Sequence, residues 1–290
     1  MSELEEYLKP TDTIDCASEA ILTKARELTQ GCATPVEKAL ALFHFVRDDI
    51  SYNLYMISVF KEDFAASRIL AWGKGYCVQK AVLFAALARA VGIPSRLAFA
   101  KIRNHKVPEK IAKLTGDNIF PRHGYTQLFL ENTWVSVAPT FDRALCEKIG
   151  VPVVDWNGST EATLPSVDLQ GHPYIEYIEK FGTHADLPFD WIVAETSKKV
   201  GKDKRPWISR NDIPPVGKES EGAKIVDKTY KAEEIQTGFH PDGYRIDKTA
   251  QPLDFYTKWE ITPDKQWINP KPACFHSMPQ EGWHKKDSST

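Results

Sequence analysis

No stretch of these 290 residues contains the roughly 20 consecutive apolar residues a membrane-spanning helix needs, so no membrane partner is expected. Charge of one sign is also missing: 37 Lys+Arg stand against 39 Asp+Glu, a formal net charge of −2. A balanced chain has no polyanion-attracting field, which removes nucleic acid from the expected partners. Cysteines are few, five in all, and their odd number and wide spacing at 16, 32, 77, 146 and 274 argue against a disulfide framework. No C-x-x-C pair offers zinc spacing, and no D-x-D-x-D-G loop offers a calcium cradle. The opening MSELEEYLKP is acidic and polar, the reverse of a secretory signal, and predicts a reduced, cytoplasmic protein. Internal repeats and low-complexity tracts are absent as well.

What is present has a clear order. Residues 1–50 read as helical, broken at Gly31-Cys32-Ala33. Thr34-Pro35-Val36-Glu37 is a capping box with proline at the first helical position. Ser51 to Phe60 is aromatic and β-branched, and reads as extended. Gly73 and Gly75 mark a tight loop, after which Cys77 to Ala90 forms a helix whose Ala81–Ala88 stretch is apolar on every face and therefore buried. Gly92 closes it and Pro94 prevents continuation. Strand signals follow: Arg96 to Ile102, a lysine-rich loop from Asn104 to about Pro121, then a hairpin of Gly124–Leu130 and Trp134–Val137 around Glu131-Asn132-Thr133. Residues 139–196 read as short mixed elements divided by prolines. Helices first and strands after predict an α+β fold, helices packed on an antiparallel sheet. Composition shifts near residue 197, giving a domain over 1–196 and an irregular extension over 197–290. That extension holds four of the eight tryptophans, too many for a solvated tail, so it is expected to wrap the main domain.

The chemistry points to Cys77. A cysteine on the first turn of a buried helix meets unpaired backbone N–H groups and the positive end of the helix dipole. Both lower a thiol pKa, so Cys77 is expected to be the fastest-alkylating thiol. The same N–H groups can hold an oxyanion, with Tyr52 or Trp72 as the expected second donor. His123 opens the hairpin strand and is placed to take the thiol proton. The bland alternatives are a small apolar cysteine at a helix start and a surface histidine at a strand end. Of the remaining histidines, His44 reads as a helix boundary residue and the others sit in loop-like stretches with no paired nucleophile. Cys16, Cys32, Cys146 and Cys274 lack the glycine loop and apolar helix, and read as structural.

GKGYCVQKAVLFAALARAVGIPSR followed by RHGYTQLFLENTWVSVAPTFD resembles the core of the transglutaminase-like superfamily. TPVEKALALFHFVRDDISYN is similar to that family's preceding helix, and the likeness spans roughly residues 5–195. The resemblance implies a papain-like fold, no cofactor, and a Cys–His–Asp triad with Cys77 as nucleophile and His123 as base. In the usual pattern the tryptophan strand ends in Asp-Pro-Thr, whereas here Ala138 precedes Pro139-Thr140. Asp142 is then the expected orienting carboxylate, with a surface aspartate capping the next segment as its alternative. Tyr125 stands where the family has tryptophan, and with no calcium loop this speaks against calcium-dependent cross-linking. The expected function is a cysteine hydrolase or acyltransferase acting through a thioester on an amide-like carbonyl of a small molecule or peptide. Alternatives are a Cys–His enzyme of small-molecule metabolism, carbon–carbon cleavage included, and an inert binding module in which Ala138 marks decay. The sequence does not set the oligomeric state.

Overall fold

A computed structural model describes residues 4–58, 61–109, 112 and 116–200, together with Glu260–Ile261 and Trp267–Ile268. It divides into two compact units, Met1–Leu54 with Lys61–Glu195, and Tyr55–Phe60 with Thr196–Thr290. In the first unit, helices α1 (Glu19–Leu28) and α2 (Pro35–Asp48) each bury one face. Ile21 and Ala25 turn inward from α1, and Ala39, Leu42, Phe43 and Val46 from α2, the spacing expected of amphipathic helices. The capping box forms as the sequence predicts: Thr34 Oγ1 accepts from Glu37 N at 3.1 Å, and Glu37 Oε2 accepts from Thr34 N at 3.1 Å. Of the strand expected over Ser51 to Phe60, the described residues form β1 (Ser51–Tyr52) and then a 3-10 turn over Leu54–Met56.

Helix α3 (Ala66–Trp72) ends at Gly73, whose φ of 63° lets the chain reverse into β2 (Lys74–Gly75), paired in parallel with β1. Helix α4 (Cys77–Ala90) follows at once. Every residue from Cys77 to Arg89 is buried, so it is a central helix rather than a surface one. Its Leu83, Phe84 and Leu87 are fully enclosed, and truncating any of them to alanine should cost about 2–5 kcal/mol.

Strands β3 (Ser95–Asn104), β4 (Ile119–Leu130), β5 (Thr133–Val137) and β6 (Ile175–His184) make an antiparallel sheet in the order β5-β4-β3-β6. The fold class is thus α+β, as expected. Helix α4 lies against β4, where Thr126 Oγ1 donates to Ala81 O at 2.9 Å. The β4–β5 hairpin turns on Glu131 and Asn132, both at positive φ (48° and 64°), which matches the right-handed twist of the strands.

Two expectations need correction. The loop assigned to Asn104–Pro121 ends earlier, because β4 starts at Ile119 and carries Pro121 inside it. A bulge makes that possible: Ala100 pairs with His123 and Ile102 with Phe120, so Pro121 and Arg122 together face Lys101. A proline at a bulge forfeits no ladder hydrogen bond. Residues 139–196 also hold more regular structure than their prolines suggest, namely α5 (Arg143–Ile149), the ten-residue β6 and α6 (Phe189–Val200). β6 alternates weakly because it has an exposed outer face and its own irregularities. Between Lys101↔Glu179 and Ile102↔Tyr177 its register skips Ile178.

In the second unit, β7 (Glu260–Ile261) pairs antiparallel with β8 (Trp267–Ile268). The expected wrapping of the extension over the main domain falls outside the described residues. Among the described residues no helix is long and apolar enough to cross a membrane.

Candidate active site

The loop before Cys77 is tied down by backbone bonds. Ser51 N donates to Gly73 O at 2.9 Å and Asn53 N to Gly75 O at 3.0 Å, which is the β1–β2 pairing seen from the loop. Gln79, in the first turn of α4, accepts from Tyr76 N at 3.2 Å and donates to Asp63 O at 3.0 Å. The turn that carries Cys77 is therefore held from both sides.

Strand β4 approaches that turn at Gly124. A Cβ built at Gly124 would lie 3.0 Å from Val78 Cα and 3.1 Å from Val78 Cγ2, so only glycine permits this contact with the helix backbone. The backbone N–H of Gly124, next in the chain after His123, acts on the Cys77 thiol to favour its thiolate, as do the N–H groups of Val78 and Cys77. The bulge at Pro121-Arg122 lies immediately before His123, in the position where such a kink re-aims a side chain.

The electrostatics differ from the sequence expectation. Burial pushes the Cys77 thiol up to about 11, and the three N–H groups offset only part of that. Burial also pushes His123 down to about 3. The helix-start effect is present but outweighed, because both groups lie out of water and the charged form of each is disfavoured. At neutral pH the pair is thiol and imidazole rather than thiolate and imidazolium. No hydrogen bond joins them, and His123 Nε2 has no hydrogen-bond partner among the described residues. The imidazole stacks on Tyr125 (6.0 Å between centroids, 21° between planes) and meets the edge of Tyr177 at 6.1 Å.

Asp142 is placed elsewhere. It is the N-cap of α5, where Oδ1 accepts from Leu145 N at 2.9 Å, and its Oδ2 accepts from Tyr52 N at 2.8 Å. No hydrogen bond links it to His123, so the orienting role expected from the sequence gives way to a capping one. The reason is local: Asp142 opens a helix, and an aspartate there satisfies backbone donors first. Asp142 still bears on the site indirectly, since it fixes β1, which in turn pins the glycine loop. Of the expected oxyanion donors, Tyr52 has its ring 4.6 Å from that of Phe141, and Trp72 lies beneath the Arg68 guanidinium at 5.1 Å.

Tyr177 is the residue sequence reasoning missed. It sits on β6, across β3 from His123, and interacts electrostatically with the Cys77 thiol. Its only sequence signal is an aromatic in a charged, weakly alternating stretch, which carries no hint of position. Among the described residues no cluster of three or more His, Cys, Asp or Glu could hold a metal ion.

Residues 23–139 match the family model of the transglutaminase-like superfamily. No curated protein matches the chain. Two solved structures resemble it. One is a candidate cysteine protease from Cytophaga hutchinsonii, at TM-score 0.39 and 16% identity, over 63% of this chain and 55% of that one. The other is a candidate protease from Parabacteroides distasonis, at TM-score 0.29 and 17% identity, over 46% of this chain and 24% of that one. The chain thus spans just over half of the first structure and about a quarter of the second.

Proposed function

We propose that this chain, whose residues 23–139 match the family model of the transglutaminase-like superfamily, is a cysteine hydrolase or acyltransferase that works through a thioester on Cys77. The observation that carries this reading is the close seating of β4 on the first turn of α4. Gly124 admits the contact and its backbone favours the Cys77 thiolate, one residue from a buried histidine with an unpartnered nitrogen. Cys77 attacks an amide-like carbonyl of a small molecule or peptide. His123 takes the thiol proton and returns it to the leaving group. Both start neutral, so proton transfer accompanies attack instead of preceding it. The missing hydrogen bond forms when substrate closes the site, a tightening common to enzymes that are loose when empty. Asp142 takes no part in the proton transfer, leaving a Cys–His dyad.

Incubation with p-nitrophenyl acetate tests this. The acetyl group should appear on Cys77 by peptide mapping, and hydroxylamine or water should remove it with turnover. Acetylation spread over other residues with Cys77 unmodified would refute the proposal and favour an inert binding module.

A further inference from the structure

The site lacks an assigned second donor for the oxygen of the attacked carbonyl, and Tyr177 has the geometry to be one. Its phenol oxygen accepts from Leu164 N at 3.2 Å, and the Thr163 side chain acts on it to favour the phenolate. Its oxygen is therefore held by the 163–164 segment. Tyr177 also interacts electrostatically with the Tyr125 and Cys77 side chains. Its ring edge meets the His123 ring at 6.1 Å. The register places it beside the irregularity at Ile178, as His123 stands beside the bulge at Pro121-Arg122. Both strands that flank β3 thus depart from regular pairing next to a residue of the site. As a whole residue Tyr177 is partly exposed, whereas Cys77 and His123 are buried.

We propose that Tyr177 is a catalytic residue whose hydroxyl donates a hydrogen bond to the carbonyl oxygen of the substrate as Cys77 attacks. This rests on Cys77 being the nucleophile. As the Sγ–C bond forms, the carbonyl π pair moves onto oxygen and the thiol proton passes to His123. Tyr177 keeps its proton while sharing it with the oxyanion, alongside the backbone N–H groups of the α4 first turn. When the tetrahedral adduct collapses the carbonyl re-forms, the bond to the leaving group breaks, and His123 protonates that group. Burial, foremost, holds the phenol well above its ordinary pKa, so it remains a donor throughout the working range. Phenols and N–H groups placed ahead of the reaction are the usual donors in such a hole.

The test compares two reactions of the same thiol. Attack on p-nitrophenyl acetate passes through an oxyanion, whereas alkylation by iodoacetamide does not. Tyr177→Phe should slow acetylation of Cys77 by about 100-fold or more, in line with loss of one oxyanion donor. Alkylation of Cys77 should stay within about twofold, because it develops no oxyanion for the phenol to hold. Incorporation of 3-fluorotyrosine at 177 keeps the oxygen for Leu164 and gives a stronger acid, so acetylation should match or exceed wild type. Equal losses in both reactions would make Tyr177 a shaping residue only and overturn the proposal, as would an unchanged acetylation rate in Tyr177→Phe. A wild-type protein that gains no acetyl group on Cys77 overturns the nucleophile itself, a result distinguishable from either because it appears before any variant is made.

Discussion

Lys80 and His123 are two buried basic side chains against the same helix, and their surroundings could hardly differ more. Lys80, one turn beyond Cys77, directs its Nζ to Arg47 O at 3.1 Å and Ile50 O at 2.6 Å, and feels the carboxylates of Asp142 and Asp48. His123 has two tyrosine rings for neighbours and a nitrogen with no described partner. Burial depresses both, Lys80 to about 7 and His123 to about 3. Around Lys80 the polar groups answer one another, as they do where the purpose is to hold elements together: the amine ties the end of α2 to α4. A buried, unanswered nitrogen is costly, and under the proposed function a substrate would supply its partner.

The sharpest way to break this comparison is to remove the reactive pair. Cys77→Ala and His123→Ala should each lower p-nitrophenyl acetate turnover by about a thousandfold or more, and the double variant should be little worse than either. Additive losses would mean the two residues do not act as one unit. Lys80→Met, by contrast, should show most of its effect in stability.

Next in size is thiol reactivity. With its pKa near 11, Cys77 carries roughly one thiolate in ten thousand thiols at pH 7, and it is 7% exposed. Cys32 is partly exposed, whereas Cys16 and Cys146 are buried with raised pKa values. Iodoacetamide should therefore label Cys32 before Cys77, by about a hundredfold or more in rate. This reverses the order the sequence predicts. Peptide mapping after brief exposure decides it, and rapid labelling of Cys77 would show that the site opens readily in solution.

Lys80 gives a pH dependence with a definite sign. Between about pH 7 and its ordinary value near 10.5 the unfolded chain keeps the lysine proton and the native protein does not. The unfolded state then binds more protons, so stability rises with pH, by up to about 1.4 kcal/mol per unit. Cys77 and Cys146, raised from 9.0 to about 11, act in the opposite sense above about pH 9. Urea unfolding at pH 7.0 and 8.5 isolates the lysine, and Lys80→Met should remove its share of the slope.

Which parts of this were legible follows from what each depends on. The capping box at Thr34–Glu37, the central helix from Cys77 and the β4–β5 turn are set by residues within a few positions, and the sequence shows them. The start of β4 and the whole of β6 depend on pairing with β3 across long intervals, with bulges that disrupt period-two alternation at Pro121 and Ile178. Tyr177 inherits that opacity, since nothing within its own strand says it will stand across from His123. The burial that sets the Cys77 and His123 pKa values is likewise a product of assembly. Helix-start chemistry can be read from the letters, but the competing desolvation cannot.

Asp142 tests the line between the two regions with the smallest expected effect. If it caps α5 and anchors Tyr52, Asp142→Ala removes an N-cap acceptor and leaves two backbone N–H groups without it, costing about 1–2 kcal/mol. Asp142→Asn keeps an acceptor at the cap and should recover much of that, because asparagine caps nearly as well as aspartate. Its effect on acetylation of Cys77 should be small in both variants and follow the fraction folded, since no bond reaches His123. An orienting carboxylate would behave otherwise. Losing it would leave the native fraction intact and strip the imidazolium of its partner, with activity falling far more steeply than stability. Measuring thermal unfolding and acetylation rate on the same samples separates these outcomes. A large loss of rate at undiminished stability in Asp142→Asn would return this residue to the catalytic set and turn the dyad back into a triad.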